Sequence, residues 1–180
     1  MLFRSTLALH RLAAWVAVGE AVFIAFALPV RPVGDLARGA WEGKIDKDLS
    51  ATVGWDRVVA QVAGVARQLP ASERSHLVIF TGDYGAAGAV DRFGGFGLPH
   101  AVSGHNSYWW WGPPADDHST TIAVNLDRAY LETIFAHVAP AGTVDTGHGV
   151  WSEERGEPIS VCTGQRVAWA QAWPSARHYG

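Results

Sequence analysis

A chain of 180 residues with a formal net charge of −3 has room for one domain with a real core, or one domain plus an anchor. No basic block interrupts that balance, which excludes the concentrated positive footprint of a nucleic-acid binder. The single cysteine, Cys162, excludes an internal disulfide and reads as a small apolar residue in a buried strand. Nine tryptophans are unusual, because the indole gathers in cores, on ligand surfaces and at membrane–water interfaces.

Leu12 to Val30 (LAAWVAVGEAVFIAFALPV) is a run of 19 residues with one ionisable group, Glu20. At about 1.5 Å per residue such a helix just covers a hydrocarbon core of roughly 30 Å. Residues 1–30 therefore read as a transmembrane helix, stopped by Pro29 and Pro32. A carboxylate near the middle costs roughly 2.5–3.5 kcal/mol on insertion scales. Glu20 thus implies other helices, a polar cavity or protonation, and favours a helix that belongs to a multi-helix bundle. A cleaved signal peptide is a rival reading, with Arg4 and Arg11 in front and Ala25-Phe26-Ala27 as a small-x-small site; a buried helix of a soluble protein is another. The Lys and Arg count favours an internal location for the rest of the chain, although Arg31, Arg38, Lys44 and Lys47 are interleaved with Asp35, Glu42, Asp46 and Asp48.

Residues 31–53 carry mixed charge and no apolar period, as a juxtamembrane linker does, and a domain is expected over 54–180. Trp55, Val58, Val59, Val62, Val65, Ala66 and Leu69 recur at three and four, one face of an amphipathic helix that Pro70 stops. His76–Thr81 reads as a buried strand, Gly82–Gly85 as a turn and Ala86–Phe93 as a short helix. Pro99–Ser103 and Thr120–Asn125 are further strands, and Asp127 caps a helix running to about Val138. Thr143–Val150 and Pro158–Cys162 look like strands, and a last turn of helix covers Val167–Trp173. Strands alternating with helices predict an α/β layered domain with a mainly parallel sheet.

Two stretches carry candidate chemistry. TGDYGAAGAV, Thr81–Val90, places glycines at a strand-to-helix turn where backbone N–H groups can meet a ligand. Its spacing is not that of a dinucleotide loop, and Asp83 repels phosphate; glycines serving only a tight turn are the plainer reading. LPHAVSGHNSYWWWGPP, Leu98–Pro114, sets His105, Asn106 and Tyr108 beside Trp109, Trp110 and Trp111. Rings that contact C–H faces next to groups that bond hydroxyls suit a sugar or polar-lipid site. Three successive tryptophans cannot all point one way, so packing on the core or against a membrane stays open for some of them. His100, His105 and Asp116-Asp117-His118 lack the spacing of a metal site, and Ser103 and Ser107 lie in no nucleophile elbow. No catalytic residue, metal ligand or cofactor is assigned.

Taken in order, Gly54-Trp55, TGDYGAAGAVDRFG, GLP, SGHNSYWWWGPP and the closing Val-Cys stretch resemble a bacterial family of membrane glycosyltransferases. That family is related to protein O-mannosyltransferases and lipid A aminoarabinose transferases (family-39 type). The resemblance covers most of residues 53–180, with SGHNSY-x-x-WGPP its most specific element. It implies a C-terminal part of a multi-spanning enzyme that moves sugar from a polyprenyl-phosphate donor, often with a divalent metal. The family's catalytic acids lie in an N-terminal loop that this chain lacks. It also implies a cell-membrane location, with the N-terminal helix the last of a bundle and the domain extracytoplasmic. Expected partners are the bilayer, other transmembrane helices and a lipid-linked sugar or glycan. Asp83, Tyr84, His105, Asn106, Tyr108 and Trp111 would meet substrate or partner, and Glu20 the bundle. The chain departs from the family pattern at Asp83, where Asn is usual, and at Ala86, where Glu is usual. A stand-alone membrane-anchored binding or accessory module without catalysis is the alternative.

Overall fold

The computed structural model describes residues 2–27, 33–34, 50–115 and 119–179. Two compact units divide the chain: Met1–Val53 with His148–Ser152, and Gly54–Gly147 with Glu153–Gly180.

In the first unit, α1 spans Leu2–Ala27 and leaves Leu12, Trp15, Val16, Val22, Phe23 and Ile24 exposed. The expected transmembrane helix is not supported: among the described residues, no helix is long and apolar enough to cross a membrane. The cause is compositional. The apolar part of α1 opens only after His10 and Arg11 and is interrupted at Glu20, and residues 28–30, the end of the expected span, lie outside the described residues. Most of the expected linker also lies outside them.

The second unit is an α/β domain on a five-stranded sheet. Its elements are α2 (Trp55–Gln68), α3 (Ala71–Arg74), β1 (Val78–Thr81), α4 (Tyr84–Phe93), β2 (Ala101–Ser103), β3 (Thr121–Val124), α5 (Arg128–Ile134), β4 (Phe135–Thr143), β5 (Pro158–Gln165) and α6 (Trp169–Ala176). Strand order is β2-β1-β3-β5-β4. β1 pairs in parallel with β2 and β3, whereas β5 pairs antiparallel with both β3 and β4. The sheet is therefore mixed, not mainly parallel. The departure begins after β3, where the last two strands form an antiparallel ribbon.

Alternation along the strands builds two cores. Ile79, Ile122, Val124 and Ile159 face α2 and α4, whose Val58, Val59, Val62, Ala87 and Val90 fill one side. Val78, Phe80, Ala123 and Cys162 face the other, against Leu131 and Ile134 of α5 and Trp169 and Trp173 of α6. Phe80 meets Trp169 edge-on at 5.3 Å between centroids, an arrangement aromatic pairs prefer.

Three sequence expectations change at the ribbon. The helix expected to reach Val138 stops at Ile134, and Phe135 turns extended to open β4. Pro140 explains this: it would break a helix, yet an edge strand tolerates it, and the β4–β5 register shifts between Pro140 and Gly142. The strand expected over Thr143–Val150 ends at Thr143 instead of beginning there. The last helix is displaced toward the C-terminus, to Trp169–Ala176.

Candidate functional site

The chain leaves β1 into α4 on one face of the sheet and leaves the adjacent β3 into α5 on the other. Neighbouring parallel strands whose connections diverge form a topological switch point, and ligands of open α/β sheets bind outside the carboxyl ends there. This edge gathers most of the residues singled out in the sequence.

Asp83 caps α4, its Oδ1 accepting the Ala86 N–H at 2.6 Å. Its Oδ2 accepts from the Asn125 amide at 3.2 Å, and its carbonyl accepts from the Thr81 hydroxyl at 2.8 Å. The carboxylate is thus engaged in holding the two turns together. The approach is close: a Cβ on Gly82 would sit 1.7 Å from the Asn125 carbonyl oxygen. Asn125 itself has φ 55, a left-handed conformation that asparagine tolerates better than most residues.

His105 and Asn106 open a 3-10 turn, Asn106–Trp111, just past β2. The Tyr84 N–H points at His105 Nδ1 at 3.4 Å, and the two rings lie 5.0 Å apart. On its other side the His105 ring stacks on His178 at 4.6 Å and 17°. Burial holds the His105 imidazole below its ordinary value; the neighbouring His178 adds to this, and Asp83 opposes it. His105 Nε2 is buried with no hydrogen-bond partner among the described residues.

The C-terminal segment closes over this edge. The Asn106 N–H donates to the His178 carbonyl at 3.0 Å, and the His178 N–H to the Gly104 carbonyl at 3.2 Å. Gly104 has no room for a side chain, since a Cβ would lie 1.9 Å from the Ala176 carbonyl oxygen. The His178 ring nitrogens face the Gly82 carbonyl at 2.7 Å and the Ala176 carbonyl at 2.8 Å. A carbonyl only accepts, so whichever ring nitrogen carries the proton donates to the carbonyl it faces. His178 is used here as a strap.

The three tryptophans of the turn diverge. Trp109 and Trp173 exchange hydrogen bonds, each indole N–H donating to the other's carbonyl, at 3.2 and 3.1 Å. Arg177 lies over the Trp109 and Trp110 rings at 4.5 and 5.0 Å. Trp110 and Trp111 remain 68% and 71% exposed, and Trp111 rests on Tyr108 at 4.3 Å. Tyr108 turns back toward α4, its hydroxyl donating to Asp91 at 3.3 Å. Burial and the Asp91 carboxylate both push that phenol up. The structure therefore brings Asp83, Tyr84, His105 and Asn106 together, sends Tyr108 toward Asp91 and leaves Trp111 on the surface. Glu20 is exposed on α1, in the other unit.

Sequence reasoning missed a pocket of about 300 Å³ at the same edge, lined by Gly82, Asn125, Asp127, Tyr130, Ser175 and His178 among others. Asn125 was the findable one, because it follows a strand at its carboxyl end; Ser175 and His178 carry no local signal. Asp127 accepts the Tyr130 N–H at 3.0 Å as the cap of α5. Burial pushes the Tyr130 phenol up while the Ser175 hydroxyl pulls the other way, yet no hydrogen bond of normal geometry reaches the Tyr130 oxygen. A larger groove, about 450 Å³, runs along β4. Its charged groups are turned on one another: Arg128 donates to Glu132 at 2.7 Å, and Arg166 to the Glu132 carbonyl at 3.2 Å. Among the described residues no three metal-binding side chains cluster. Comparison with protein-family models, with curated proteins and with solved structures finds no match to this chain.

Proposed function

We propose that this chain is a C-terminal, extracytoplasmic part of a polyprenyl-phosphate-sugar-dependent glycosyltransferase, and that its α/β domain contacts a sugar or lipid head group without catalysing transfer itself. The single observation supporting this is the turn after β2. It presents Trp110 and Trp111 to solvent on a support fixed by the Trp109–Trp173 hydrogen bonds, in the same turn as Asn106. Flat apolar rings on one short turn with an amide suit the C–H face and the hydroxyls of a sugar. Asp83, the one carboxylate among the residues expected to meet substrate or partner, is committed to capping and to Asn125, so in this reading it positions the turn and does not transfer protons. In this reading the exposed apolar stretch of α1, which carries Glu20, docks among the helices of the enzyme's membrane bundle.

The test is a fluorescence titration of the detergent-solubilised full chain with a short-chain polyprenyl-phosphate hexose. Trp111→Ala and Asn106→Gly remove a ring and an amide without straining the fold, glycine being at ease at the Asn106 φ of 51. Each is expected to weaken binding about tenfold, the equivalent of roughly 1.4 kcal/mol, while the melting temperature is kept. Parent-like affinity in both folded variants refutes the contact.

A further inference from the structure

We infer that Arg177 receives the phosphate of the lipid-linked sugar at the turn after β2, an inference that rests on the sugar-contact reading of that turn. Position argues first. The Asn106 N–H donates to the His178 carbonyl and the His178 N–H to the Gly104 carbonyl, a parallel bridge that lays the residues after α6 along the start of the turn. Arg177, exposed at the end of α6, directly precedes this bridge. Its guanidinium carbon lies over the Trp109 and Trp110 rings at 4.5 and 5.0 Å and over the Tyr179 ring at 5.3 Å. Among the described residues its one hydrogen-bond partner is the Tyr179 hydroxyl. A guanidinium seated on rings keeps further N–H donors at its edge, a planar fork that matches two oxygens of a phosphate.

Charge selects the ligand. Leu98–Pro114 and Pro158–Gly180, the two segments that meet here, contain no Asp or Glu, and Arg177 is the one Lys or Arg in Leu98–Pro114 and Val167–Gly180 together. Among the described residues no carboxylate pairs with it. Asp83, on the turn after β1, is held by the Ala86 N–H and the Asn125 amide. Other exposed arginines of the domain have their counter-ion: Arg57 pairs with Asp145 at 2.9 Å and Arg128 with Glu132 at 2.7 Å. The partial negative charge at the end of α6 favours a cation at Arg177, but it does not account for the aromatic seat. A guanidinium fixed by rings and left without a counter-ion is suited to an external anion. With Trp110 and Trp111 exposed on the same turn, the surface matches a hexose joined to a phosphate.

The experiment compares two probes in a fluorescence titration of the full chain in non-ionic detergent. One is a short-chain polyprenyl-phosphate hexose; the other is the uncharged hexoside of the same chain, which lacks the phosphate. The parent is expected to prefer the phosphate-bearing probe about fivefold, the size of an exposed charge pair of good geometry. Added NaCl should shrink that preference, because exposed charges are screened, and a preference indifferent to salt overturns the inference. Arg177→Gln is expected to abolish the preference. If that variant does not fold, Arg177→Lys, which keeps the charge without the planar fork, is read in its place and should lose about half of it. Equal affinity of the parent for both probes overturns the inference and leaves the sugar contact standing. Binding of neither probe overturns the sugar contact, and the inference with it. A preference kept by folded Arg177→Gln also overturns it, as does equal displacement by phosphatidylglycerol, which would make Arg177 a reader of any lipid phosphate.

Discussion

The imidazole rings of His105 and His178 lie face to face, 4.6 Å apart and 17° from parallel. Through this contact the residues after α6 are fastened to the turn after β2. The two ring nitrogens of His178 face the carbonyl oxygens of Ala176 and Gly82, whereas His105 is held below its ordinary value by burial and by its neighbour.

That shift makes stability depend on pH. A histidine whose folded value is depressed binds protons more readily in the unfolded chain, so folding stability is full above the ordinary value of 6.5 and is lost as pH falls toward the lowered one. The melting temperature should decline as pH falls below the ordinary histidine value of 6.5, and His105→Gln should reduce that decline. An unchanged slope in the variant would assign it to other groups.

Gly82 and Gly104 are expected to be intolerant of any side chain. A Cβ at either meets a backbone carbonyl oxygen at 1.7 or 1.9 Å, and backbone cannot yield as a flexible side chain can. Gly82→Ala and Gly104→Ala should each destabilise by about 3 kcal/mol or more in urea denaturation. Gly94→Ala, where a Cβ meets nothing within 4 Å, serves as the control and should stay near parent stability.

Asp83 separates capping from charge. Asp83→Ala removes the cap of α4 and the Asn125 contact and should cost about 1–2 kcal/mol. Asp83→Asn keeps an oxygen for the Ala86 N–H and should cost clearly less. Equal losses in denaturation would mean that the negative charge, not the hydrogen bond, carries the effect.

Burial pushes the Cys162 thiol up to about 12. The thiolate is the reactive form, so the native protein should resist a thiol-specific disulfide reagent at neutral pH and react once urea unfolds it. Rapid labelling of the folded chain would contradict the packing of Cys162 between Ala123, Val138 and the α5–α6 layer.

Local pattern carried much of the domain into view. The three-and-four spacing from Trp55 to Leu69 gave α2, and the apolar block ending at Thr81 gave β1, because each is repetitive within a few residues. Phe135 and Val138 misled: after Ile134 they fit a helix face equally well, and only pairing with β5, opposite Gln165 and Cys162, makes them a strand. At the site, Asp83, Tyr84, His105 and Asn106 were legible as loop residues rich in polar and aromatic groups. His178 was not, since nothing local to the C-terminus records that it will stack on His105. The same holds for Ser175, whose place in the pocket depends on how α6 packs against β1. For α1, the apolar run was legible, but its continuation past Ala27 is what a full span requires.

Photo-crosslinking tests the central claim most directly: the full chain in detergent is irradiated with a photoactivatable short-chain polyprenyl-phosphate hexose, and the labelled peptides are identified by mass spectrometry. Label concentrated in the peptide carrying His105–Trp111, and displaced by excess unlabelled ligand, is the expected result. Label confined to α1, or spread without competition, would contradict a sugar or head-group contact at the turn after β2.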